Sequence, residues 1–123
     1  MANPNIVNVT SIYGSTSYLV PTTTTATTWT ALTPATGTVN KINSMVAANV
    51  TSTAASVTVS INSATAGGGT AYRLTYQTSV PANSSLLVID KSTMIYVGEA
   101  QSIVVTSGTT NSIEMVAAFE AIT

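Results

Sequence analysis

The stretch Ser56-Val57-Thr58-Val59-Ser60-Ile61 puts an apolar side chain at every second position. After Gly67-Gly68-Gly69 the same alternation resumes in Tyr72-Arg73-Leu74-Thr75-Tyr76-Gln77. A period of two is that of a strand with one face buried; a helix would need apolar residues three and four apart. Residues 64–70, centred on the glycines, are flexible-turn material. The two runs are therefore predicted to form a hairpin across that loop, with Tyr72, Leu74 and Tyr76 on one face.

Toward the C-terminus the pattern repeats. Residues 80–85 form a turn, because Pro81 fixes φ and supplies no ladder donor. Residues 86–89 form a short, wholly apolar strand, and Asp90-Lys91-Ser92-Thr93 turns the chain into a strand at 94–97. Gly98-Glu99 breaks the run again before a strand at 102–106, which carries Ile103 and Val105. After a polar turn at 107–111, the last strand occupies about 112–122. Ile113, Met115, Ala117, Phe119 and Ala121 share one of its faces; Glu114 and Glu120 make the other at least partly wet.

Toward the N-terminus, residues 5–13 and 17–20 read as strands separated by Gly14-Ser15. Residues 22–32 read as a threonine-rich strand containing Trp29, and 33–37 as a turn. Residues 39–50 read as one long strand with Ile42, Val46 and Val50 on one face. Those three positions also match a helical spacing, but the asparagines at 40, 43 and 49 and the flanking valines disfavour a helix. Eight or nine short strands at intervals of ~8–12 residues predict an all-β, antiparallel β-sandwich, jelly-roll-like or immunoglobulin-like. One domain is expected over 1–123. Residues 1–22 supply either its first strands or an extended arm that pairs with a neighbour's sheet edge.

Composition sharpens the picture. Hydrophobic residues are 45% of the 123, an ordinary globular share, yet only 6% are charged, against about 25% in typical soluble domains. The charged set is Lys41, Arg73, Lys91, Asp90, Glu99, Glu114 and Glu120. The 24 threonines and 15 serines must keep the surface wet instead. Threonine is β-branched and suits a pleated surface with its hydroxyl outward. A net charge of −1 gives no field to attract nucleic acid or an anionic membrane, and little self-repulsion to keep copies apart. No apolar run approaches the ~20 residues of a membrane span. The start, Met-Ala-Asn-Pro-Asn, lacks the basic and apolar segments of a signal peptide, so synthesis in a cytoplasm without a cleaved export signal is expected.

Chemistry finds few candidates. There is no histidine or cysteine, which removes the usual nucleophiles, acid–base groups and zinc ligands. Glu114 and Glu120 lie roughly 20 Å apart at ~3.3 Å per residue along one strand and cannot share a site. Asp90 and Glu99 sit in separate turns. The glycine triplet has neither the lysine nor the following helix of a phosphate loop. No enzyme activity, cofactor, metal or small-molecule substrate is expected. Aromatic residues are the candidates for an interface: Trp29, Tyr13, Tyr18, Tyr72 and Tyr76, since Trp and Tyr dominate binding hot spots. For Trp29 the competing assignment is the core.

Met1-Ala2-Asn3-Pro4-Asn5-Ile6-Val7-Asn8-Val9-Thr10-Ser11-Ile12, the block Ser79-Val80-Pro81-Ala82-Asn83-Ser84-Ser85-Leu86-Leu87-Val88-Ile89, Ile95-Tyr96-Val97-Gly98-Glu99-Ala100 and the close Ala118-Phe119-Glu120-Ala121-Ile122 together resemble small virion structural proteins of tailed phages, particularly those infecting marine cyanobacteria. The resemblance covers most of the chain, and its motifs are structural. It implies a capsid decoration, or cement, protein that bridges major capsid subunits, present in many copies or as a homo-oligomer on a virion assembled in the host cytoplasm. Two alternatives stay open. One is a neck, collar, tail or fibre component with fewer copies. The other is a carbohydrate-binding adhesin module using Tyr13, Tyr18 and Trp29 as a stacking platform.

Overall fold

The computed structural model describes residues 8–123. The strands among them are β1 (Ile12–Leu19), β2 (Thr27–Thr28), β3 (Val39–Asn49), β4 (Ala55–Asn62), β5 (Ala71–Val80), β6 (Ser85–Ile89), β7 (Ile95–Val97), β8 (Ser102–Ser107) and β9 (Ile113–Ile122). Single 3-10 turns occur at Thr30–Leu32 and Thr65–Gly67. The strands form two sheets, ordered β1-β9-β3-β6 with β7 also on β3, and β2-β8-β4-β5. Every pairing is antiparallel.

All connections between successive strands cross from one sheet to the other except β4 to β5 and β6 to β7. That alternation, with the first and last strands side by side, is the double-sheet jelly roll. Of the two sandwich types expected, the strand order selects this one. An immunoglobulin-like sandwich would be built largely from hairpins within each sheet, and here only β4–β5 is a long hairpin. The pairing predicted across the glycine loop is thus observed.

The core fills the space between the sheets. Ile42, Met45 and Ala47 of β3 and Met115, Ala117 and Phe119 of β9 meet Val57 and Val59 of β4 and Ile103 and Val105 of β8. No buried side-chain polar atom among the described residues lacks a hydrogen bond, as a low-dielectric interior requires.

Several elements depart from the sequence expectation, each for a local reason. Gly14-Ser15 does not interrupt the first strand. All eight residues of β1 pair in unbroken register with β9, including Gly14 with Glu120 and Ser15 with Phe119. A full ladder outweighs a glycine's weak strand preference. The part of the expected strand at 5–7 lies outside the described residues. Residues 22–32 hold only the two-residue β2 followed by a 3-10 turn.

In β3 the inward positions are Ile42, then Met45, Ala47 and Asn49; Val46 is half-buried and Val50 exposed. The register against β9 passes from Ile42–Phe119 to Ser44–Ala118. Asn43 is therefore an extra residue, a bulge that reverses which parity faces the core. A second bulge separates the tyrosines of β5. Arg73 stands opposite Ser60 and Thr75 opposite Val59, leaving Leu74 extra. Tyr72 consequently shares a face with Ile61, and Tyr76 falls on the other.

The loop at 64–70 is not loose. The Gly67 N–H donates to Ser102 Oγ at 2.9 Å, Ser102 Oγ donates to the Ala64 carbonyl at 2.8 Å, and Asn62 Nδ2 donates to the Gly67 carbonyl at 2.9 Å. This network draws the turn over the outer side of β8, which is why Val104 is buried as well as Ile103 and Val105. Gly67 takes a φ of +77° without strain only because it lacks a side chain, and a Cβ there would meet Thr28 Oγ1 at 2.5 Å.

Asn49 holds the other end of the sandwich. It is 2% exposed; its Nδ2 donates to the Thr53 and Val80 carbonyls, and its Oδ1 accepts from the Thr51 N–H and hydroxyl, all within 2.8–3.0 Å. An Asn49→Ala substitution strands these partners. It is expected to cost about 2–3 kcal/mol, the desolvation of buried groups left unpaired. Urea unfolding monitored by circular dichroism measures this; an unchanged midpoint would refute the assignment.

Candidate functional site

The outward face of the β1-β9-β3-β6 sheet carries an apolar row that crosses all four strands. Tyr18 of β1 stands opposite Val116 of β9, Val116 opposite Val46 of β3, and Val46 opposite Leu87 of β6. At ~4.8 Å between strands the row is roughly 15 Å long. Tyr18 is 74% exposed, Leu87 56% and Val116 41%.

The flanking rows are nearly neutral. On one side lie Thr16, Ala118 and Ser44 in register, and beyond them Gly14, Glu120, Lys41 and Tyr96. On the other side Glu114 stands opposite Ala48, and Ala48 opposite Ser85. Lys41 and Glu120 face each other across β3 and β9, so the charges of this face are few and partly of opposite sign. Exposed, contiguous apolar surface of this kind is the usual mark of a protein-binding surface.

The aromatic candidates are not gathered in one place. Trp29 is 1% exposed and belongs to the core; its Nε1–H donates to Ser17 Oγ at 2.9 Å. It offers a partner no surface, which corrects the interface assignment for that residue. Tyr18 lies on the apolar row. Tyr13 is exposed, but it stands opposite Ala121 on the other face of β1, as two residues five apart on a regular strand must. Tyr13, Tyr18 and Trp29 therefore form no common stacking platform. Tyr72 and Tyr76 are exposed on β5, the far edge strand of the other sheet. The Arg73 guanidinium lies 5.2 Å from the centre of the Tyr76 ring, a cation–π contact.

The carboxylates are dispersed. Glu99 is buried and accepts the Gly37 N–H at 2.5 Å. Glu120 accepts Asn43 Nδ2 at 3.4 Å, and Glu114 is exposed. Asp90 closes its own turn: its Oδ1 accepts from the Ser92 hydroxyl and N–H and from Thr93. The Ser92 hydroxyl, then the Ser92 N–H, hold the Asp90 carboxyl below its ordinary value. No three acidic, histidine or cysteine side chains cluster among the described residues.

The sequence does not mark Val46, Leu87 or Val116 as surface residues, and it groups Val46 with Ile42 instead. Val116 falls between Glu114 and Ala118 on a strand face that reads as wet, and Val46 changes face at the Asn43 bulge. The available signal was Leu86-Leu87-Val88, an unbroken apolar run in which successive residues of a strand must point to opposite sides.

No protein-family model matches the chain, and no curated protein matches it. Among solved structures, the chain is similar to the extra small virus of the giant freshwater prawn Macrobrachium rosenbergii, seen as a virus-like particle. The identity is 17%, over 97% of this chain and 84% of that one, with a TM-score of 0.35. A likeness this distant carries no weight for function.

Proposed function

We propose that the chain is a phage virion structural protein, a capsid decoration protein that bridges and stabilises major capsid subunits. The observation that carries this is the exposed apolar row Tyr18–Val116–Val46–Leu87 on a nearly neutral sheet face. The jelly roll alone does not decide the matter, since capsid proteins, lectins and other binding proteins share it. Composition supports the same reading: a hydroxyl-rich, charge-poor surface binds through burial and neutral hydrogen bonds, which salt screens little.

Bridging needs two contacts. At ~800 Å² per partner, two together occupy roughly a quarter of the 6323 Å² surface, so the domain is large enough. The partners are the major capsid protein or other virion proteins. No enzyme activity, nucleic acid, membrane or small molecule enters the mechanism, and the protein resides in the virion.

Quantitative mass spectrometry of purified particles tests this directly. The expected ratio to the major capsid protein is a sizeable fraction of one. A handful of copies per particle would overturn decoration and place the chain in the neck, collar, tail or a fibre.

A further inference from the structure

A sandwich has four lateral edges, and natural sheets protect theirs with shortness, charge, proline or bulges because an open edge templates pairing. Three of the four edges here are protected. β2 has two residues. β5 has two register breaks against β4, a positive φ at Gln77 and a charge at Arg73. β6 has five residues and a break against β3.

The fourth edge, β1, has none of these devices. Its eight residues, Ile12-Tyr13-Gly14-Ser15-Thr16-Ser17-Tyr18-Leu19, contain no charge and no proline, and run in unbroken register beside β9. All but Ser17 and Leu19 are exposed. Among the described residues, no backbone hydrogen bond outside the β1–β9 ladder involves positions 12–19. Among the described residues, the side of β1 away from β9 is thus an open row of donors and acceptors.

We propose that a second copy of this chain occupies that edge, its β1 pairing antiparallel with the first across a two-fold axis at Ser15. The two sheets then run on as one, from β6 through both copies of β1 to the second β6. The inference does not depend on what the outer face binds.

Three features select a second copy and this register. First, β1 carries no charged residue, so a two-fold axis brings no like charges together. Second, an axis normal to the sheet keeps each residue on its own face, so paired positions must have the same parity. An axis at Ser15 sets Gly14 opposite Thr16, Tyr13 opposite Ser17, and Ile12 opposite Tyr18 of the second copy. Ile12 is 54% exposed and Tyr18 74%; both lie on the outer face and would cover one another twice, an aromatic–β-branched pair of the favourable kind. Shifting the axis to Thr16 instead sets Tyr18 against Gly14 and moves Ile12 opposite Val20, past the end of β1 and outside the ladder. Its gain would be Leu19, which already packs against the core. Third, the Ser15 axis continues the row Leu87–Val46–Val116–Tyr18 onto Ile12 of the second copy. Each molecule's row is thereby lengthened by one residue of the other, and the two rows run side by side on one surface, roughly 20 Å apart along the strands at ~3.3 Å per residue.

A single strand edge buries less than the ~800 Å² per partner of a standard interface. The dimer is therefore expected to be concentration-dependent in solution and reinforced when copies are held close on a lattice.

The chain has no cysteine, which permits a direct test. Single-cysteine variants Ser15→Cys, Thr16→Cys and Ser79→Cys are oxidised at equal concentration and followed on non-reducing gels, with folding checked by circular dichroism. Ser79 is an exposed position on β5, the edge of the other sheet. Ser15→Cys should form a disulfide-linked homodimer at least tenfold faster than the other two, because only residues at the axis face their own counterparts. Sedimentation velocity of the unsubstituted chain should show dimer growing with concentration, and Ser15→Lys, which sets two cations face to face, should abolish it. Equal cross-linking at all three positions, fastest cross-linking at Thr16→Cys, or a monomer at every concentration would each overturn the proposal.

Discussion

Replacing Trp29 with alanine is expected to destabilise the sandwich by about 3–5 kcal/mol, the range for emptying a buried aromatic site. Total stability of a small domain is about 5–15 kcal/mol, so the variant should unfold at a far lower urea midpoint. Trp29 follows the two-residue β2 and is 1% exposed. Its N–H donates to the Ile103 carbonyl at 2.8 Å, tying it to β8, while its Nε1–H reaches Ser17 on β1 of the opposite sheet. One residue thus ties the two sheets together, through its backbone on one side and its indole on the other. Trp29→Phe keeps most of the packing and loses the bridge, so its cost should be smaller, about 1–2 kcal/mol for the hydrogen bond and residual space. Urea unfolding followed by circular dichroism ranks the three proteins. Equal midpoints for wild type and Trp29→Ala would remove Trp29 from the core.

The second half of the chain was legible in the sequence because local signals there agree. Between 55 and 122 each long strand has an apolar face, and glycine, proline, asparagine or aspartate stands at each break. β4, β5, β6, β7, β8 and β9 all lie close to where alternation placed them. The first half was harder because threonine is equally at home in a strand and in an irregular segment with hydroxyl bonds. Residues 22–26 are one such segment, where Thr23 and Thr25 hydrogen-bond each other. Two single-residue bulges, at Asn43 and Leu74, were invisible. A bulge adds one residue without any compositional mark, yet it inverts every face assignment beyond it. That is how Val46 came to lie outside and Met45 inside.

The candidate site suffered most from this, since a surface row depends on several strands being in phase at once. Tyr18 could be nominated as an exposed aromatic, but its neighbours are defined only by the registers Tyr18–Val116, Val116–Val46 and Val46–Leu87. Strand order cannot be read from one sequence, and β1 and β9 come from opposite ends of the chain. The same order explains the open side of β1: among the described residues it pairs with β9 alone and ends the sheet.

Converting the apolar row to a charged one should abolish particle binding and leave the fold intact. In Val116→Lys combined with Leu87→Lys, both changed positions are solvent-exposed in the isolated chain, where substitutions usually shift stability by no more than about 0.5 kcal/mol each. On the particle the same positions would be covered. Each ammonium would then lose its water with only Glu114 and Glu120 nearby on this face, neither of them placed opposite Val116 or Leu87. Burying an unpaired charge costs several kcal/mol, and every 1.4 kcal/mol is about tenfold in affinity. Two such charges should reduce binding to capsids lacking the protein by at least 100-fold, read by co-sedimentation with the unsubstituted chain alongside. Tyr72→Lys with Tyr76→Lys, on the far edge of the other sheet, serves as the matched control and should bind normally. Full binding by the Val116/Leu87 variant would show that the particle contact lies elsewhere. Loss of binding in the tyrosine variant alone would place it on the β5 side of the sandwich.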